Sequence, residues 1–196
     1  MKKIKYTNWW AFEKKEQSIE SALAKMDLYN KTRFGRRKVI DENLLLEAAI
    51  LAHEKSQIYY VIIYENEKPY CHLEINKGFY RVNFLDQYYR TYMAYTFLGK
   101  DDIAEWRKSY DNRLFLETII FWEFEGNTDK MVKITDYMFK PDGSFHITER
   151  DLITNELIDS EAKNKIDVTA NWEEYPEFGK YDSLIQKDRN VISQLY

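Results

Sequence analysis

The chain has one cysteine, three prolines, six glycines and three histidines among 196 residues, and each scarcity closes off a class of protein. Cys71 alone cannot form an intramolecular disulfide, which suits a reducing compartment. So little Gly and Pro excludes a fibrous or linker-rich chain. His53, His72 and His146 show no His-x-x-x-His spacing, and one cysteine leaves no Cys-x-x-Cys, so no metal site is expected. Apolar runs are short and broken by Tyr, Glu or Lys, and none approaches the roughly 20 residues of a membrane span. The basic N-terminus, Met1 to Tyr6, leads into Asn8-Trp9-Trp10 and then Glu13-Lys14-Lys15-Glu16, not into the apolar core of a signal peptide. A cytoplasmic protein with no membrane partner is therefore expected. The sequence has no Gly-x-Ser-x-Gly elbow, P-loop or Gly-x-Gly-x-x-Gly, so neither a catalytic set nor a cofactor is expected.

What is present is aromatic and charged. Aromatics make up 16% and charged residues 32%, with 33 acids against 29 bases and a net charge of −4. That aromatic content is too high and the net charge too small for a disordered chain. A chain this long should bury about 70% of its unfolded surface without a disulfide or metal.

Residues 1–56 read as helical. Apolar residues at 19, 22, 23 and 26 share one helix face, with Ser18 or Asn8 as a cap and Gly35 as the breaker. Asp41 caps a second helix with apolar positions 44, 45, 48, 49, 51 and 52. From Gln57 the period falls to 2. Ile58 to Tyr64 is apolar on both faces, as in a covered central strand. Cys71, Leu73 and Ile75, and then Tyr80, Val82 and Phe84, read as half-buried strands around an Asn76-Lys77-Gly78 loop. Residues 88–98 are β-prone, although Tyr88, Tyr92 and Tyr95 also fit a helix face. A short helix over 101–110, a long strand over 114–125, its partner over 131–139 and a turn at Pro141-Asp142-Gly143-Ser144 follow. Residues beyond Glu149 read as charged and helix-like up to Ile166, before an acidic, aromatic tail. The whole predicts one α+β domain over 1–196: N-terminal helices packed on an antiparallel, mostly meander sheet (57–150), closed by residues 151–196.

Candidate chemistry is sparse. Cys71 falls on the apolar alternation, the place of a small buried hydrophobe. Glu117, Glu123 and Glu125 alternate on one strand, and Glu149 with Asp151 lies near His146. Paired carboxylates can do acid–base work when burial splits their pKa values, yet alternating Glu also describes a solvated sheet face. The basic run 31–38 could touch nucleic acid or an acidic partner. In an acidic chain with no other basic stripe it reads better as a solvated loop, and no nucleic-acid partner is expected. Residues 171–182 interleave Trp172, Tyr175, Phe178 and Tyr181 with Glu173, Glu174, Glu177 and Asp182. Aromatics can anchor a partner and acids can steer a basic one, while a tail strapped onto the sheet would also spend aromatics on packing.

Phe139-Lys140-Pro141-Asp142-Gly143, Asp151, Asn171-Trp172-Glu173, Pro176 to Leu184 and Arg189 give the last third of the chain a likeness. It resembles the C-terminal part of small bacterial immunity proteins, the antidotes encoded beside polymorphic or contact-dependent toxins. The resemblance implies a cytoplasmic, non-catalytic protein that binds the C-terminal domain of a cognate toxin and blocks it. By residue type, the partner-binding candidates are Trp172, Glu173, Glu174, Tyr175, Glu177, Tyr181 and Asp182. The runner-up is a small-ligand protein or hydrolase-type enzyme with a pocket between helices and sheet, near His146, Glu149 and Glu123.

Overall fold

A computed structural model describes residues 2–100, 107, 110 and 112–195. The chain forms two compact units, Met1–Arg90 and Thr91–Tyr196. Apart from Arg107 and Tyr110, the short helix expected over 101–110 lies outside the described residues.

The first unit runs β1 (Lys2–Lys5), β2 (Trp9–Trp10), β3 (Lys15–Glu16), α1 (Ile19–Asn30), a 3-10 turn (Phe34–Arg36), α2 (Glu42–Glu54), β4 (Tyr59–Glu65), β5 (Lys68–Asn76) and β6 (Phe79–Leu85). Within the unit the antiparallel order is β1-β4-β5-β6, and β2 and β3 form a separate hairpin. Ser18 starts α1 by accepting the Ser21 N–H (3.2 Å), and Ala22, Leu23 and Met26 form its buried stripe. The helix stops before Gly35. Lys31 takes a left-handed φ of 56°, and the Asp27 carboxylate accepts the Phe34 and Gly35 N–H groups, each at 2.8 Å. Asp41 caps α2 through the Leu44 N–H (3.0 Å) and leaves Leu44, Leu45, Ala48, Ala49 and Ala52 buried. β4 is buried on both faces, by Tyr59, Val61 and Ile63 on one and Tyr60 and Ile62 on the other. Tyr59 meets His53 of α2 on the first face (Nδ1 to OH, 2.9 Å), and Ile62 joins Trp9 and Leu85 in a small core on the second.

The expectation that all of 1–56 is helical is corrected for its first sixteen residues, which hold three short strands. Lys2–Lys5 pairs with β4, some sixty positions along the chain. A four-residue strand with three lysines carries no period-2 apolar signal to read.

The second unit contains β7 (Thr91–Leu98), β8 (Arg113–Phe124), β9 (Met131–Phe139), β10 (Phe145–Asp151), β11 (Leu157–Glu161), β12 (Trp172–Glu174) and α3 (Asn190–Ser193). Strands β7 to β11 run as an antiparallel meander, and β12 adds to the start of β8. The β-prone 88–98 stretch resolves into β7 after a turn in which Asp86 accepts the Tyr88 and Arg90 N–H groups (2.8 and 2.9 Å). The core holds Tyr95, Phe97, Phe115, Leu116, Ile119, Phe139, Tyr181 and Leu184.

The helix-like reading of 151–166 is corrected: residues 157–161 are a strand exposed along its whole length. With neither face buried, no alternation marks it as β, and its charge density imitates a solvated helix.

The turn at 141–144 forms as its residue types require. Gly143 has φ +85°, and its carbonyl accepts the Ile166 N–H (3.0 Å). A Cβ there would lie 2.4 Å from the Ile166 carbonyl oxygen, which is backbone and cannot swing away. Gly143→Ala is therefore expected to cost at least about 2 kcal/mol from the left-handed conformation alone. A urea midpoint unchanged from wild type would refute this.

Candidate functional site

The tail residues separate by what holds them. Trp172 lies in β12 opposite Phe115 (ring centroids 4.8 Å), edge-on to Tyr110 (5.0 Å), with the Arg113 guanidinium 4.6 Å over its ring. Tyr181 is 1% exposed. Tyr175 is half-buried, and burial raises its phenol pKa. Glu173 pairs with Arg189 at 2.8 Å, with both side chains largely out of water. The tail is thus strapped down by its aromatics and one acid. Glu174, Glu177 and Asp182 remain exposed, with Glu177 paired to Lys180 (2.6 Å), which holds its carboxyl below the usual range.

A second surface carries no sequence signal. On one face of the second unit's sheet, cross-strand partners line up in three rows. These are Trp122, Ile134, Arg150 and Leu157; Ile120, Asp136, Thr148 and Asp159; and Thr118, Met138, His146 and Glu161. Met138 is 49% and Leu157 64% exposed, and every other member of the rows is exposed or half-buried. Asp159 joins two rows, accepting from Thr148 Oγ1 (3.2 Å) and contacting His146 Nε2. Beyond the face, Ile158 and the loop residue Ile153 are 60% and 68% exposed. Large apolar side chains so placed beside carboxylates are what a partner surface looks like.

The runner-up residues do not converge. His146 stands on that open face. Glu149 and Glu123 stand on the opposite one, where Glu149 pairs with Lys133 (2.5 Å) and Glu123 is the cross-strand neighbour of Lys133. A different buried carboxylate does line a cavity. The β7–β8 register skips Glu117, a bulge. Its carboxylate is held by Arg107 (2.8 and 3.2 Å) with the Tyr110 hydroxyl 3.5 Å away. Burial, and then the Glu117 charge, raise the Tyr110 pKa. The cavity, about 720 Å³, is also lined by Met138, Phe139, Lys140, Pro141 and Asp142. Sequence alternation put Glu117 with Glu123 and Glu125 on one solvated face; the bulge breaks that pattern and buries it.

In the basic run, Phe34 is buried beneath the Arg37 guanidinium (4.8 Å), which also makes a bidentate pair with Glu47 (2.6 and 3.0 Å). Lys31, Arg33, Arg36 and Lys38 are exposed. Cys71 is buried. Among the described residues no group of three His, Cys, Asp or Glu could hold a metal ion, and no helix is long and apolar enough to cross a membrane.

Helices and antiparallel strands that are largely sequential define an α+β protein. No family model, curated protein or solved structure matches the chain.

Proposed function

We propose that this chain is a cytoplasmic immunity protein with helices near the N-terminus and an antiparallel, mostly meander sheet, in which the strands of the second unit are the binding scaffold. On that scaffold it binds the C-terminal domain of a cognate bacterial toxin, a basic nuclease, and blocks it. One observation carries the reading: Ile153, Leu157 and Ile158 stand 60–68% exposed beside Glu156, Asp159 and Glu161. Exposed aliphatics of this size supply anchoring area, and interspersed carboxylates steer a cationic partner while repelling nucleic-acid phosphates from it. Glu174, Glu177 and Asp182 extend the acidic character along the tail.

The test is affinity capture of the tagged chain from its source bacterium, followed by co-expression with whatever toxin domain is recovered. Stoichiometric recovery of a large secreted protein's C-terminal fragment, and restored growth on co-expression, are the expected results. A partner-free monomer that gives no protection overturns the proposal. If the tail acids share the interface, replacing Glu174, Glu177 and Asp182 together by Lys weakens toxin binding by about tenfold or more, chiefly through a slower on-rate. Unchanged binding by calorimetry would remove the tail from the interface.

The Glu117 cavity favours a second reading, a small-ligand site, because it sets a buried carboxylate and a guanidinium beside apolar walls. Thermal-shift screening against small metabolites tests it, and loss of any hit in Glu117→Gln is the expected result.

A further inference from the structure

The backbone of β11 is an unfinished sheet edge. Ala162 N–H donates to the Phe145 carbonyl, and Asp151 N–H donates to the Glu156 carbonyl, both at 3.0 Å. With the β10–β11 register, these bonds fix the phase of the ladder: residues 156, 158, 160 and 162 turn their backbone groups toward β10. Leu157, Asp159 and Glu161 turn theirs the other way, so three N–H donors and three carbonyl acceptors face the open side. Among the described residues no other strand pairs with β11.

Edge strands are normally blunted, and β1 shows how: it is four residues long and carries Lys2, Lys3 and Lys5. β11 instead presents Leu157 and Ile158, more than half exposed, over about 17 Å of extended chain. Residues 156–161 hold three carboxylates and no cationic side chain. We propose that β11 is a docking edge that takes an extended, basic segment of the partner as one further strand. The segment's backbone bonds to Leu157, Asp159 and Glu161. Its alternate basic side chains meet Asp159 and Glu161 on the open face, and its apolar side chains, turned to the other face, lie against Ile158. Charge decides the occupant. β11 of a second copy, paired about a two-fold axis through Asp159, would set that carboxylate against its own equivalent, whereas a basic strand is drawn in from solution.

The inference rests on the binding reading above and is tested apart from it. The probe is an end-capped Lys-Val-Lys-Val-Lys peptide, added to the ¹⁵N-labelled full chain. It is expected to shift the Leu157, Asp159 and Glu161 amides saturably and to slow their hydrogen exchange. A Glu-Val-Glu-Val-Glu peptide should do neither. Asp159→Pro removes an outward N–H while the Ile158 and Ser160 bonds to β10 stay, so the fold persists and peptide affinity falls about tenfold or more. Asp159→Asn with Glu161→Gln leaves the backbone intact and should weaken binding and flatten its salt dependence.

Protection elsewhere on the chain, equal binding of the acidic peptide, or no binding at all overturns the docking edge. So does concentration-dependent sedimentation that Asp159→Pro abolishes, which would assign the edge to a second copy. Peptide capture at β11 without growth protection keeps the edge and overturns the immunity reading. Protection by an Asp159→Pro variant with full toxin affinity does the reverse.

Discussion

Arg189→Met is expected to lower stability by about 4 kcal/mol, because breaking a buried ion pair from one side leaves the other charge stranded. The Arg189 side chain is 4% exposed and its Glu173 partner 16%. The guanidinium donates to Glu173 Oε1 (2.8 Å) and to the Ala170 carbonyl (3.2 Å), and also to the Ser183 carbonyl. It lies 4.9 Å from the Phe97 ring centroid and 5.6 Å from that of Tyr95. One side chain therefore ties the chain before β12, β12 itself and the loop after Tyr181 to the aromatic surface of β7. Methionine fills similar volume and satisfies none of the three acceptors. For a chain of this length the loss corresponds to a melting temperature lower by roughly 10 °C. Adding Glu173→Leu to Arg189→Met should recover part of it, since no uncompensated charge then remains. Urea unfolding of the two single variants and the double variant measures the coupling. A loss under about 1 kcal/mol for Arg189→Met would show that the pair does not hold the tail. The same bond explains why an interface test on the tail must leave Glu173 alone: reversing its charge attacks the fold before it reaches any partner.

How far the sequence could be read follows from which side chains are buried. α2 was legible because its cap and its apolar stripe are local, and Asp41 with positions 44, 45, 48, 49 and 52 does what spacing dictates. β4 was legible because both its faces are covered. β1 and β11 were not, since an edge strand with little or no burial on its faces leaves no period in its side chains, and the partner of β1 lies some sixty positions away. In the tail, Trp172 and Tyr181 could be read two ways, as anchors for a partner or as packing, and only tertiary contacts assign them to packing. The division of its acids, Glu173 held against Arg189 and largely out of water while Glu174 and Asp182 are exposed, depends on a residue sixteen positions away. The Glu117 bulge was hidden for a further reason: one extra residue in a strand reverses inside and outside from that point, which strict alternation cannot anticipate.

The first unit should lose stability on acidification because of His72. This residue sits on β5 between Ile62 of β4 and Asn83 of β6, and its Nε2 is buried without a hydrogen-bond partner although the residue as a whole is only half-buried. Burial, and then the Arg81 and Lys25 charges, disfavour the imidazolium and push its pKa down to about 3. Arg81 is engaged with Asn83 Oδ1 (3.2 Å) and Lys25 lies over the Tyr60 ring (4.4 Å), so neither cation is displaced cheaply. The unfolded imidazole takes its proton near pH 6.5, while the folded one refuses it until about 3. Stability from this site is thus complete above pH 6.5 and falls between those two values by about 1.4 kcal/mol per pH unit. By pH 4.5 the loss reaches about 2 to 3 kcal/mol. His53 moves the same way, its pKa lowered mainly by burial, whereas Asp86, with its pKa lowered through bonds from Arg90 and Tyr88, contributes only at lower pH. His72→Gln and His72→Leu remove the titrating group, so from pH 6.5 to 4.5 their unfolding free energies should slope less steeply than wild type by about 1.4 kcal/mol per pH unit, leaving the contribution of His53. The slope is the readout, independent of what either substitution costs at neutral pH. If both variants keep the wild-type slope, His72 is protonated in the folded state and the acid sensitivity belongs elsewhere.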